Sequence, residues 1–202
     1  MVKVKICGLT TVDDAARCVE LGADALGLNF WAGSPRSTDL RTARRIVEAV
    51  GEEATLVAVF VDAGLEEIRE VLQQSGIAWA QLHGEEPPEL LESLLPTAYQ
   101  AIGVTDGSAI ELARGYPGEH LLLDASVPGM PGGTGRTFDW AIAAEVAKER
   151  KLTLAGGLNP DNVAEAVRVV RPYRVDVASG VESAPGRKDP ERVRAFMEAA
   201  KG

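Results

Sequence analysis

Apolar and polar residues alternate at the start of the chain, Val2, Val4 and Ile6 interleaving with Lys3 and Lys5. A period of two is the pattern of a strand. The apolar set ends at Cys7, Gly8 permits a tight turn, and Thr10 or Thr11 can cap a helix over about residues 12–21. The same switch between strand-like and helix-like patterns recurs along the chain. The pattern predicts further strands at residues 25–30, 55–61, 79–82, 99–104, 120–123, 152–155 and 175–177. It predicts further helices at 39–50, 65–74, 87–95, 108–114, 138–150, 159–170 and 189–201, Pro87-Pro88 and Asn159-Pro160 acting as helix starts. Longer loops are expected at 31–38, 127–136 and 179–188.

Eight strand–helix units in 202 residues give a mean spacing of about 25, the size of a compact (β/α)8 unit. The second and third strands are nearly continuous apolar runs, as parallel strands covered on both faces should be. The expected fold class is therefore α/β, a (β/α)8 TIM barrel formed as a single domain over residues 1–202. An open doubly wound sheet is the alternative; eight units without a linker or domain break favour closure.

Composition narrows the partners. Hydrophobic residues at 46% and charged residues at 25% are ordinary for a globular protein. A net charge of −9 argues against a nucleic-acid surface, which needs lysine and arginine, but leaves room for one local phosphate site. No apolar run reaches the length of a membrane span, and the N-terminus lacks a signal-peptide pattern. Cys7 and Cys18 do not form a disulfide framework, so a reducing cytoplasm is expected. Cys18 falls inside a helix pattern beside Val19 and reads as packing. Monomer and homodimer both remain open.

In a closed barrel the chemistry gathers at the carboxyl ends of the strands. The residues there are Cys7, then Ser34-Pro35-Arg36, His83-Gly84, Asp124, Gly156-Gly157, and Asp176 followed by Ser179-Gly180. Glycine loops after the seventh and eighth strands suit a phosphate, because unobstructed N–H groups and a helix N-terminus can face the anion. Gly132-Gly133-Thr134-Gly135 reads equally well as a flap or a long turn. Taken singly, these residues have plainer explanations. Cys7 could be a small buried hydrophobe, Asp124 a turn cap, Arg36 a surface arginine and His83 a strand-end histidine bonded to backbone.

The ordered set is more specific. Lys5-Ile6-Cys7-Gly8-Leu9-Thr10, Ser34-Pro35-Arg36, Val59-Phe60-Val61, Gln81-Leu82-His83-Gly84, Leu123-Asp124, Gly132-Gly133-Thr134-Gly135, Ala155-Gly156-Gly157-Leu158-Asn159-Pro160 and Val175-Asp176-Val177-Ala178-Ser179-Gly180-Val181-Glu182 occur in this order. Together they resemble the phosphoribosylanthranilate isomerase family of tryptophan biosynthesis, from Val4 to Lys188. The resemblance implies an Amadori rearrangement of N-(5-phosphoribosyl)anthranilate to 1-(2-carboxyphenylamino)-1-deoxyribulose 5-phosphate, without cofactor or metal. It implies Cys7 as general base and Asp124 as general acid. The thiol would need an electropositive setting, and Asp124 would need to hold a proton. Arg36 suits the anthranilate carboxylate, since a guanidinium matches it in a planar, bidentate way. His83 would line the pocket or orient the substrate, Asp176 would bind a ribose hydroxyl or hold a loop, and Gly156, Gly157, Ser179 and Gly180 would take the phosphate. The bulky Trp31-Ala32-Gly33 stretch departs from the family pattern and bears on substrate contacts. Two rivals stand beside this reading. A pentose-phosphate epimerase would want metal-ligating histidines, and only His83 and His120 exist. A non-catalytic phosphometabolite sensor would keep the glycine loops without needing the Cys7–Asp124 pair.

Overall fold

Eight strands carry the molecule: β1 Lys3–Cys7, β2 Ala25–Asn29, β3 Thr55–Phe60, β4 Trp79–Leu82, β5 Ala98–Val104, β6 His120–Ala125, β7 Lys151–Leu154 and β8 Arg174–Val177. The structure is a computed structural model and describes residues 1–125 and 137–202. The predicted glycine-rich loop at 132–135 therefore lies outside the described residues. Each strand pairs in parallel with the next, and β1 pairs with both β2 and β8, Ile6 standing opposite Leu26 on one side and Val177 on the other. The sheet is thus a closed barrel rather than an open doubly wound one.

Among the described residues eight α-helices cover it: α1 Val12–Glu20, α2 Leu40–Val50, α3 Leu65–Ser75, α4 Pro88–Glu92, α5 Ser108–Gly115, α6 Trp140–Glu149, α7 Val163–Val170 and α8 Pro190–Lys201. Their starts follow from short polar caps. Thr11 accepts from Asp14 N, Asp39 from Thr42 N, Asp139 from Ala141 N, and Asp189 from Glu191 N and Arg192 N.

Three stretches depart furthest from the pattern. α4 stops at Glu92 rather than at residue 95: Leu94 N and Leu95 N donate three residues back, to Leu91 O and Glu92 O, in a tightened turn ahead of Pro96. α7 starts at Val163 rather than Asn159: Asn162 Oδ1 accepts from Asn159 N, and Asn159 Oδ1 from Asp161 N, so side chains hold 159–162 as a loop. The stretch 179–188 is not a plain loop. It forms a 3₁₀ turn, Ser179–Val181, and a small hairpin of β9 Glu182–Ala184 and β10 Arg187–Lys188.

The alternation seen in the sequence decides what faces what. Val4 and Ile6 of β1 join the large apolar shell between sheet and helices, with Leu26, Ile46 and Phe196. The polar half of that alternation splits: Lys3, at the strand start, is exposed, and Lys5 does not meet water. Lys5 and Gln81 are completely buried and Thr153 and Asp176 nearly so, around a small interior apolar cluster of Val57, Tyr99, Ala101, Leu122 and Ala155. No helix of the described residues is long and apolar enough to cross a membrane.

Candidate active site

The C-terminal mouth of the barrel holds a cavity of about 130 Å³ bordered by Cys7, Arg36, His83, Asp124 and Asp176. A smaller space of about 40 Å³ adjoins it, walled by Gly156, Gly157 and Ser179 and sharing Asp124 and Asp176 with the first. Eight of the nine residues singled out in the sequence thus meet at one mouth, on adjoining cavities. Gly180 does not border either space. A Cβ there would collide with the carbonyl of Leu158, so its glycine serves close packing of the two loops behind the smaller cavity. Gly156 and Gly157 have φ of +89° and +65°, and a side chain on Gly156 would also run into the backbone of Ala125.

Cys7 ends β1 with its thiol over Gly27. A Cβ on Gly27 would stand 2.6 Å from Cys7 Sγ and 3.1 Å from Lys5 Nζ, so a strand glycine makes the room for both groups. Burial pushes the Cys7 thiol above its ordinary value, and Asp176 adds to the rise. The Lys5 and Lys188 charges oppose it without winning. The electropositive setting expected for the thiol is present, but desolvation of the thiolate outweighs it.

Lys5 is the centre of the buried network. Its Nζ donates to Asp176 Oδ1 and to Gln81 Oε1, each at 3.0 Å. Burial alone would lower the Lys5 ammonium. The Asp176 carboxylate, followed by Cys7 and Tyr99, outweighs it and holds Lys5 above its ordinary value, hence charged. Asp176 therefore answers a buried cation as well as bordering the cavity, which explains a carboxylate inside a barrel.

The network reaches the other side of the mouth. Gln81 Oε1 accepts from Lys5 and from Tyr99 Oη at 3.0 Å, which fixes the amide with Nε2 toward His83 Nδ1 at 2.8 Å. An amide nitrogen only donates, so Nδ1 accepts and the imidazole N–H lies at Nε2. That nitrogen is 3.4 Å from Asp124 Oδ2. His83 bonds side chains rather than backbone, against the plainer sequence reading.

Arg36 is held by an internal carboxylate. Its Nε donates to Glu182 Oε1 at 2.9 Å and Oε2 at 3.1 Å, and its Nη2 donates to Oε2 at 2.8 Å. Glu182 also accepts from Lys188 Nζ at 2.7 Å. Burial would raise the Glu182 carboxyl, but the Arg36 hydrogen bonds and the Lys188 charge hold it below the usual carboxylate range. One edge of the Arg36 guanidinium is thereby fixed, leaving Nη1 for a ligand. Lys188 Nζ further donates to the carbonyls of Cys7 at 2.6 Å and Ala178 at 3.2 Å, tying β1 to the loop after β8.

A family profile described as N-(5'-phosphoribosyl)anthranilate isomerase matches residues 4–199. The chain belongs to the N-(5'-phosphoribosyl)anthranilate isomerase family. The Myxococcus xanthus isomerase is 48% identical, over 99% of this chain and 96% of its own length. The solved isomerase of Thermotoga maritima superposes with a TM-score of 0.90 at 40% identity, covering 100% of both chains. A solved isomerase in complex with reduced 1-(o-carboxyphenylamino)-1-deoxyribulose 5-phosphate has a TM-score of 0.87 at 38% identity, also covering both chains completely. The chain is accordingly an isomerase of tryptophan biosynthesis, and its reaction is the Amadori rearrangement of N-(5'-phosphoribosyl)anthranilate.

Lys5, Gln81, Gly27, Glu182 and Lys188 were not assigned roles by the sequence reading. Lys5, Gln81 and Glu182 lie inside the quoted motifs, and Gly27 is a glycine in a strand interior. Nothing in the sequence signals Lys188, whose partners are 181 and 10 residues away at Cys7 and Ala178.

Proposed function

We propose that Asp124 is the general acid and Cys7 the general base of this rearrangement. The observation that carries the reading is their common cavity, with a glycine-walled recess beside it on the Asp124 side. Asp124 protonates the ribose ring oxygen, the C1–O bond breaks, and the nitrogen lone pair forms an iminium. The new cation acidifies the C2–H and stabilises an anion nearby, which favours the Cys7 thiolate that burial disfavours. Cys7 takes the C2 proton, giving an enolamine. A proton added at C1 and lost from the C2 hydroxyl then yields the ketone.

The other residues bind and orient. Nη1 of Arg36 takes the anthranilate carboxylate, while Glu182 fixes the guanidinium plane. The phosphate enters the recess of Gly156, Gly157 and Ser179, where N–H groups are unobstructed. Gly180 holds that recess closed from behind. His83 faces Asp124 with its Nε2–H and orients the acid. A phosphorylated small molecule is thus the partner, and a chain with two free cysteines suits a reducing cytoplasm.

The test is turnover. Phosphoribosylanthranilate generated in situ is followed by loss of its fluorescence in wild type, Cys7→Ala and Asp124→Asn. Wild type turns over, and each variant loses about a hundredfold or more, the usual scale for removing an acid or base. Full activity in either variant would remove that residue from its role.

A further inference from the structure

The opposite end of the barrel carries a second cavity, of about 210 Å³, that the isomerase reaction does not use. It is built from strand starts: Lys3 of β1, Thr55 of β3, Trp79 of β4, His120 of β6 and Arg174 of β8, with Tyr173 beside them. The Lys5–Gln81–Tyr99 layer separates it from Cys7.

Its central feature is an unanswered charge. Arg174 is only 6% exposed, and its Nε is buried with no hydrogen-bond partner. Among the described residues no carboxylate pairs with its guanidinium. Asp24 borders the cavity, but its Oδ2 already accepts from Val4 N at 2.8 Å and pairs with Lys201 Nζ at 2.9 Å. Aromatic rings offer partial compensation. Arg174 lies 5.7 Å from the centroids of Tyr99 and Tyr173. Tyr173, however, also receives Lys3 at 5.2 Å and Lys151 at 5.6 Å; Lys151 is answered by Glu119 at 2.9 Å, whose other oxygen is 3.9 Å from His120 Nε2, which leaves Lys3 and the buried Arg174 sharing the ring. His120 Nδ1 is buried without a partner as well. A buried cation without an anion is costly, which is the condition a bound anion relieves.

The walls define the rest of the ligand. Trp79 and Tyr173 each meet the His120 ring edge-to-face, at 5.3 and 5.4 Å. An apolar cavity of roughly 150 Å³ is enough to hold benzene, so this one has room for a ring and a carboxylate. We propose that the N-terminal mouth is an anion site for a small aromatic carboxylate, with the carboxylate on Arg174 and the ring against Trp79, His120 and Tyr173.

The probe is benzoate, read by the emission of Trp79 in a protein whose other tryptophans are replaced, Trp31→Phe and Trp140→Phe. Benzoate gives a saturable change in the millimolar range, and inorganic phosphate binds markedly more weakly. Arg174→Gln weakens benzoate about tenfold or more, as loss of a charge-assisted contact should. Arg36→Gln, at the other mouth, does not. Should Arg174→Gln fail to fold, Lys3→Gln at the exposed rim serves instead and weakens benzoate by about threefold, one exposed charge being worth less than a buried one. Four results would overturn the proposal: no saturable signal, unchanged benzoate binding in the folded variant, loss of binding only in Arg36→Gln, or phosphate binding as well as benzoate. A Trp79 emission that follows protein concentration and ignores benzoate would overturn it too, in favour of a second copy of the chain covering this mouth.

Discussion

At the C-terminal mouth the buried cations meet carboxylates: Lys5 meets Asp176, while Arg36 and Lys188 share Glu182. At the N-terminal mouth Lys3, Lys151 and Arg174 crowd one tyrosine ring, and Arg174 has no carboxylate among the described residues. One barrel therefore treats buried charge in two ways. Pairing fixes side chains in place before a substrate arrives, which is what an acid and a base at set positions require. An unpaired charge fixes nothing and keeps its attraction for a counter-ion.

The comparison is broken most severely by substitutions that remove chemistry from one mouth only. His120→Ala at the N-terminal mouth should leave kcat within about twofold in the turnover assay, where Cys7→Ala loses about a hundredfold or more. A similar loss in both would mean the two ends are not independent.

The next effect is on stability, and only the C-terminal mouth should show it. Asp176→Asn leaves Lys5 buried without its carboxylate and should lower stability in urea unfolding by about 3 kcal/mol, as broken buried pairs do. Arg174→Gln removes a charge that has no such partner and should not lower the urea midpoint in an anion-free buffer. An equal fall in both variants would show that Arg174 is compensated after all.

Acid should act on the C-terminal mouth first. The Glu182 carboxyl is held below its ordinary value in the folded protein, so the stability it contributes is present above about pH 4.3. It is lost as pH falls through the folded value. Urea midpoints measured from pH 5 downward should decline, and Glu182→Gln should flatten the decline.

The smallest effect is on the base. Since burial holds the Cys7 thiol above its ordinary value, its rate of alkylation by iodoacetamide should keep rising with pH beyond about 8.5. Lys5→Met removes a charge that favours the thiolate and should move the rise further alkaline. An unmoved pH profile would reduce Lys5 to a structural role.

How far the sequence revealed this follows from which physics is local. The βα period, the cap at Thr10 or Thr11, and the cluster of ionisable residues at strand ends depend on short spacings, and they were readable. The interior network was not. Lys5 alternates with Val4 and Ile6 as a surface lysine would, and only closure of the sheet turns that face into a dry interior. Arg36 was readable as a residue of the mouth, but Glu182, which holds its plane, lies 146 residues away and becomes its partner only through the β9–β10 hairpin. The raised thiol of Cys7 likewise reflects burial, a property of the folded mouth and not of the residues beside it.

The Lys188 contacts bear on the order of assembly. Synthesis delivers the strand of the thiol first and the lysine that fastens its last carbonyl 181 residues later. Until then β1 also lacks its β8 neighbour, Ile6 facing no Val177. A growing chain thus holds an unfinished sheet whose first edge stays open through nearly all of translation. The C-terminal mouth of the barrel is completed at the seam, by contacts that need the last residues of the chain, and a chain arrested before that point has the thiol but not the mouth around it.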